Sequence, residues 1–153
     1  MPVAWRLVKS VHAATAFSGE GAARTGGRWN SRGQHVVYAS ETRALALLET
    51  LVHLDFPIAF HYVFIRIEFP DALLTRLETK ALPGDWQADP PSGSTRKIGD
   101  AWLRANRSAV LAVPSAVVPA ETNYLFNPHH PDFAQIQLAA PEPFSLDSRL
   151  RQR

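Results

Sequence analysis

Cysteine is absent from the 153 residues. Its absence excludes disulfides, thiolate zinc sites and a cysteine nucleophile together, and fits a reducing cytoplasm without requiring one. Long apolar runs are also missing. No stretch approaches the roughly 20 apolar residues that a membrane helix needs, and the segment Met1 to Val8 lacks the apolar run of a signal peptide. The expectation is a cytoplasmic protein with no membrane contact. Charge of one sign is scarce: 16 Lys and Arg stand against 14 Asp and Glu, a net charge of +2. That is too little for the clustered basic face of a nucleic-acid binder, so no direct nucleic-acid partner is expected. Internal repeats are lacking too, and the 12 prolines fall mostly between apolar runs, as punctuation.

What is present is ordinary for a globular domain: 46% hydrophobic and 20% charged residues. The length suits one domain spanning 1–153 and can bury about 68–70% of the unfolded surface. Val3–Lys9 reads as a strand from the alternation of Val3, Trp5 and Leu7. A glycine-rich loop follows from Phe17 to Asn30, then a short strand Val36–Ala39. A helix starts after Ser40 as N-cap, with Glu41 in its first turn and an apolar stripe of Ala44, Leu45, Leu48, Leu51 and Val52 that Pro57 ends. Ala59–Phe69 alternates as a strand. Asp85–Ser94 has the composition of a surface loop or hinge. A second helix is predicted over Ser94–Asn106 with Ile98, Ala101, Trp102 and Ala105 inward. Strands are expected at Ala109–Val113, Ala116–Val118 and Ala134–Ala139. The order has no regular βαβ repeat, which predicts an α+β domain with a central mixed or antiparallel sheet and a few helices.

Four segments carry candidate chemistry. Gly26-Gly27-Arg28-Trp29-Asn30 combines a backbone that can approach a ligand, a planar cation for phosphate, a ring for stacking and a polar amide, a set that suits a nucleotide. The plainer reading is a tight turn with a solvated arginine and a core tryptophan. Gly19-Glu20-Gly21-Ala22-Ala23-Arg24 superficially has a dinucleotide fingerprint, but it ends in arginine and leads into no clear helix, so a Rossmann reading fails. Glu49 lies at the edge of the apolar stripe, with Thr42 and His53 on the same flank; it is either a half-buried functional carboxylate or a boundary glutamate reaching solvent. Ser115 sits at a bend between two apolar runs with no G-x-S-x-G elbow, so a serine-hydrolase triad is weakly supported. In Glu121 to Pro131 the Asn-Pro and His-Pro steps read as turns, and adjacent His129 and His130 would not point together as ligands, so no metal site is expected. Arg96, Lys97, Arg104 and Arg107 form a modest basic cluster, by default a solvated face.

The order of these segments carries more than any one. An early Trp-Arg, then Phe-Ser-Gly-Glu-Gly-Ala, Gly-Gly-Arg-Trp-Asn, Val-Val-Tyr-Ala-Ser, Ala-Leu-Leu-Glu, Val-Pro-Ser-Ala-Val and Asn-Pro-His-His-Pro together resemble the RES domain, over nearly the whole chain from Trp5 to Asp147. The resemblance implies a fold like that of ADP-ribosyltransferases and places the family's arginine on Arg28, its glutamate on Glu49 and its serine on Ser115. Tyr38 falls on a further pocket tyrosine, and Trp29, Asn30 and Asn123 fall on or beside pocket positions. Ser31, where the pattern often has proline, and Phe126, where a smaller residue is common, depart from it and read as packing changes.

The resemblance further implies a toxin that takes NAD as substrate, with no permanently bound cofactor, and breaks its nicotinamide–ribose bond. It implies neutralisation by an Xre-type helix-turn-helix antitoxin, and leaves oligomeric state open, a homodimer included. In this reading Glu49 stabilises positive charge on the ribose, Arg28 holds the pyrophosphate, Tyr38 contacts the nicotinamide ribose end, and Ser115 bonds the nicotinamide amide or a phosphate. The acceptor of ADP-ribose stays open between water, phosphate and a protein. A protein-modifying ADP-ribosyltransferase is the nearest alternative. A non-catalytic binding domain and an RNase are the others, the last weakened by the low charge.

Overall fold

A computed structural model describes residues 1–53 and 61–151. The strands are β1 (Val3–Lys9), β2 (Val37–Ser40), β3 (Tyr62–Glu68), β4 (Leu74–Arg76), β5 (Val110–Pro114), β6 (Thr122–Phe126), β7 (Gln137–Leu138) and β8 (Glu142–Phe144). The helices are α1 (Glu20–Thr25), α2 (Arg43–Leu51) and α3 (Ser94–Ala105). The strands form one sheet in the order β4-β5-β6-β2-β1-β3-β7, with β8 also on β3. Among the described residues only β4 and β5 run parallel, and the other strand pairs are antiparallel. This is the predicted α+β domain with a mixed sheet.

The period-2 alternation of the strands sends side chains to two faces. On β5, Val110 and Ala112 join a core with Ala4, Val37, Ile67, Phe69, Tyr124 and Phe126. Leu111 and Val113 point the other way, into a second core with Trp29, Val36 and Leu125 that α3 covers through Ile98 and Trp102. Helix α2 contributes Leu47 and Leu51 to a smaller cluster around Tyr62 and Leu146.

The long pairing of β1 with β3 runs from Val3↔Glu68 to Lys9↔Tyr62. On its other side, β1 meets β2 only at Trp5↔Ser40. The ladder does not continue to Leu7 and Tyr38. In its place the Arg6 side chain donates from Nη1 to the Tyr38 carbonyl at 2.8 Å. The sheet therefore has a seam near its middle, held by a side chain where a backbone ladder would otherwise close it.

Several local expectations change. The N-cap of α2 is Thr42, whose hydroxyl accepts from Leu45 N at 3.0 Å. Ser40 instead ends β2, and the Glu41 carboxylate accepts from Thr122 N at 2.9 Å. The helix is also rotated from its predicted stripe: Leu45 and Ala46 are buried, while Ala44, Leu48 and Val52 are exposed. Helix α3 buries Thr95, Gly99 and Asp100, and leaves Ala101 and Ala105 in solvent. The cause is Gly99: a Cβ there would lie 1.7 Å from the Trp29 carbonyl oxygen, so the helix docks on backbone through its bare glycine. The glycine-rich loop contains α1, Ala116–Val118 is a bend, and Ala134–Ala139 reduces to a 3-10 turn and β7. Strands β4, β6 and β8 have too few alternating residues, or lie among turn-forming residues, to announce themselves. Pro57 and the expected strand start at Ala59 lie outside the described residues.

Candidate active site

The seam opens into a cavity of about 720 Å³ whose walls include Trp5, Arg6, Arg28, Tyr38, Glu49 and Asn123. That volume lies within the range of about 300–1,000 Å³ usual for small-molecule and cofactor sites.

Glu49 reaches the cavity because α2 turns Leu45 and Ala46 toward the core, which brings Glu49 and Thr50 in behind them. Its Oε2 accepts from the Ser115 hydroxyl at 2.8 Å and from Asn123 Nδ2, groups 66 and 74 residues away along the chain. Oε1 has no hydrogen-bond donor among the described residues. Both donors act on one oxygen, so the carboxylate is oriented and its other oxygen keeps its acceptor capacity. Asn123 is itself fixed: its Oδ1 accepts from the Ser40 hydroxyl at 2.7 Å. Ser115 is wholly buried, and its oxygen accepts from Val117 N at 3.1 Å and Val118 N at 3.0 Å. Its hydroxyl proton goes to Glu49 and its lone pairs to a turn. Ser115 thus braces the carboxylate from behind, where the expectation had it touching the ligand.

Arg28 is half-buried at the cavity wall. Its Nη1 donates to the carbonyls of Trp86 at 2.9 Å and Ala88 at 2.8 Å, while the Arg28 carbonyl accepts from Thr95 Oγ1 at 2.6 Å. Nε and Nη2 are left without partners among the described residues. The position after it in the chain differs from expectation. The ring of Trp29 is 3% exposed and packs with Val36, Leu111, Val113 and Leu125, so only a margin borders the cavity and the ring is core. Asn30 is fully buried, donates from Nδ2 to the carbonyls of Ala22, Ser31 and Gln34, and accepts at Oδ1 from the Tyr38 hydroxyl at 2.6 Å. It fastens the loop and does not face the cavity.

Tyr38 borders the cavity, and its hydroxyl donates to Asn30 and accepts from Trp29 N at 3.2 Å. Burial pushes its pKa upward, so the phenol stays neutral. Gly27 permits this latch, since a Cβ there would lie 2.8 Å from both the Tyr38 hydroxyl and Asn30 Oδ1.

Two site residues were not assigned from the sequence. Arg6 donates from Nε to the Ala16 carbonyl at 2.7 Å and from Nη1 to the Tyr38 carbonyl. No carboxylate among the described residues pairs with it. Burial lowers its pKa to about 10, which leaves it cationic at neutral pH. An arginine without a counter-ion on a cavity wall suits an anionic ligand. Trp5 borders the same cavity with the Arg43 guanidinium 3.6 Å from its ring centre, and Arg43 is held by Glu142 at 3.0 Å. The signal for both was the early Trp-Arg step, read as a motif without a role. None of Arg96, Lys97, Arg104 and Arg107 lines this cavity, and His129 and His130 lie elsewhere, His129 with its ring 5.0 Å from that of His35.

Comparison with known proteins agrees with the motif order. The RES domain profile matches residues 3–147. A "Prs ADP-ribosylating toxin" of Sphingobium sp. (strain YBL2) is 40% identical over 152 residues, covering 95% of this chain and 94% of its own length. A "Toxin Res" of Photorhabdus laumondii subsp. laumondii is 38% identical over 150 residues, covering 97% and 96%. Another "Toxin Res", of Yersinia enterocolitica, is 37% identical over 150 residues, covering 96% and 98%. With the motifs in order and the match running nearly end to end, the chain belongs to the RES domain family.

Proposed function

We propose that this protein is a toxin that consumes NAD by breaking the bond between nicotinamide and ribose. The observation that carries the reading is the Glu49 carboxylate, braced by Ser115 and Asn123 with one oxygen free, on a cavity wall shared with Arg6 and Arg28. Nicotinamide departs neutral, so the leaving group needs little help. The difficulty is the positive charge that develops on the ribose, as in other glycosidic cleavages. An oriented carboxylate offsets that charge without reorganising as it forms. The two arginines supply cationic groups for a pyrophosphate, and their carbonyl contacts fix the direction of the remaining N–H groups. With water as acceptor the products are ADP-ribose, nicotinamide and a proton.

A second reading, transfer of ADP-ribose to a protein, is favoured by the name of the Sphingobium relative, an ADP-ribosylating toxin. Purified protein incubated with NAD labelled in the adenylate half separates the two. Free ADP-ribose with stoichiometric nicotinamide supports the first, and label retained on a lysate protein supports the second. Glu49→Gln is expected to lower nicotinamide release by about 10²–10³-fold. Release at the wild-type rate from a folded Glu49→Gln protein would exclude both. Neutralisation by a helix-turn-helix antitoxin of Xre type in the same cytoplasm belongs to this proposal. It predicts co-purification of the two proteins and growth restored on co-expression.

A further inference from the structure

The segment 83–93, between the 3-10 turn Thr79–Ala81 and helix α3, lies beside Arg28 and touches the cavity with Asp89 and Pro91. It has little apolar anchorage of its own, since Gly84, Asp85, Gln87, Asp89, Pro90 and Ser92 are all exposed. Gln87 Nε2 donates to the Ala116 carbonyl at 3.3 Å and Arg96 Nη2 to the Pro91 carbonyl at 2.7 Å, but one carboxylate ties the two ends of the segment together. Asp85 Oδ2 accepts from the Ser92 hydroxyl at 2.5 Å and Oδ1 accepts from the Ser94 hydroxyl at 2.6 Å, so the start of the segment is tied to the first residue of α3. Inside this clasp Ala88 N donates to the Asp85 carbonyl at 2.9 Å, a tight turn that aims two alternate carbonyls the same way. Those carbonyls, of Trp86 and Ala88, are the ones that grip Arg28 Nη1.

We infer that Asp85 is a positioning residue: through its clasp on Ser92 and Ser94 it holds the two carbonyls that aim the Arg28 guanidinium into the cavity. The inference rests on the reading of Arg28 as a holder of the substrate's pyrophosphate and extends it to a residue outside the cavity wall. A guanidinium gripped through one nitrogen keeps its plane, and the free N–H groups keep their direction. Without the clasp, a segment with few buried contacts opens readily, and Arg28 loses both acceptors together. Because the lost function is orientation for binding, the effect belongs in KM and in ligand affinity.

The test is a double-mutant cycle on the full chain, read as the dissociation constant for ADP-ribose, which carries the pyrophosphate but no bond to cleave. KM and kcat for NAD are measured beside it. Asp85→Ala, and separately the pair Ser92→Ala with Ser94→Ala, are expected to weaken ADP-ribose binding and raise KM about 5- to 20-fold, with kcat within about twofold. On an Arg28→Ala background Asp85→Ala should change ADP-ribose binding no further. An unchanged dissociation constant in both clasp variants overturns the inference. So does an equal loss with and without Arg28, the mark of a purely structural role. The serine pair serves if Asp85→Ala fails to fold. Wild-type protein that binds ADP-ribose but releases no nicotinamide overturns the NAD reading alone, because the binding cycle still decides the role of Asp85.

Discussion

Two donors on one carboxylate oxygen make Glu49 a different group from a glutamate on a helix surface. Asn123 and Ser115 fix its rotamer before any ligand arrives, so their removal leaves the charge in place but lets it turn. Asn123→Ala is expected to lower kcat for nicotinamide release about 10- to 100-fold with little change in KM, measured by steady-state kinetics. Ser31 provides a second case at this scale. Its N–H donates to Asp100 Oδ1 at 2.9 Å and its hydroxyl to Oδ2 at 2.5 Å, tying the Arg28 loop to α3. A proline has neither donor, so the departure read from sequence as a packing change is a hydrogen-bonding one. Ser31→Pro should leave the buried Asp100 carboxylate unpaired and cost about 2–4 kcal/mol of stability, read from the urea midpoint. Sequence could place Glu49 at the margin of a stripe. It could not show the brace, because proximity across 66 and 74 residues is a property of the sheet and has no local pattern.

At the scale of elements, legibility followed alternation and length. Strand β1 matches its predicted bounds, and β3, α3 and β5 fall within a few residues of theirs, because each has a sustained period. The faces of the two long helices were harder. Counting apolar residues assumed that the buried side of α2 is the most apolar side, whereas the inward side carries Glu49 and Thr50 as well as Leu45 and Ala46. In α3 the inward side carries Gly99 and Asp100, since close backbone approach and a carboxylate tie outweigh two alanines. Gly99→Ala tests this. The added methyl has rigid backbone to meet, so a net loss of about 3 kcal/mol or more is expected in denaturant unfolding, despite about 1 kcal/mol gained from helix propensity. Strand β6, which supplies Asn123, sits in a segment whose Asn-Pro and His-Pro steps point to turns. Those steps, just past its C-terminal end, hid its five residues.

Across the whole molecule, the seam between β1 and β2 converts a sheet into a container. Had the ladder continued past Trp5↔Ser40, backbone bonds would close the space that Arg6 spans. Arg6→Met keeps most of the side chain's length but leaves the Ala16 and Tyr38 carbonyls without their donor. It is expected to weaken ADP-ribose binding at least tenfold, about 1.4 kcal/mol, in calorimetric titration. The first strand in the chain also lies between β2 and β3 in the finished sheet. Deleting residues 1–9 would therefore leave two strand edges bare, and that variant should show no cooperative thermal transition by circular dichroism.

That central place of β1 bears on how the molecule comes into being. The residues that meet at the cavity lie far apart along the chain: Arg6 is made before Glu49, and Asn123 after both. A growing polypeptide holds no finished pocket until Asn123 has been added. Fragments released before that point by a stalled or truncated message therefore lack the arrangement on which the proposed activity depends.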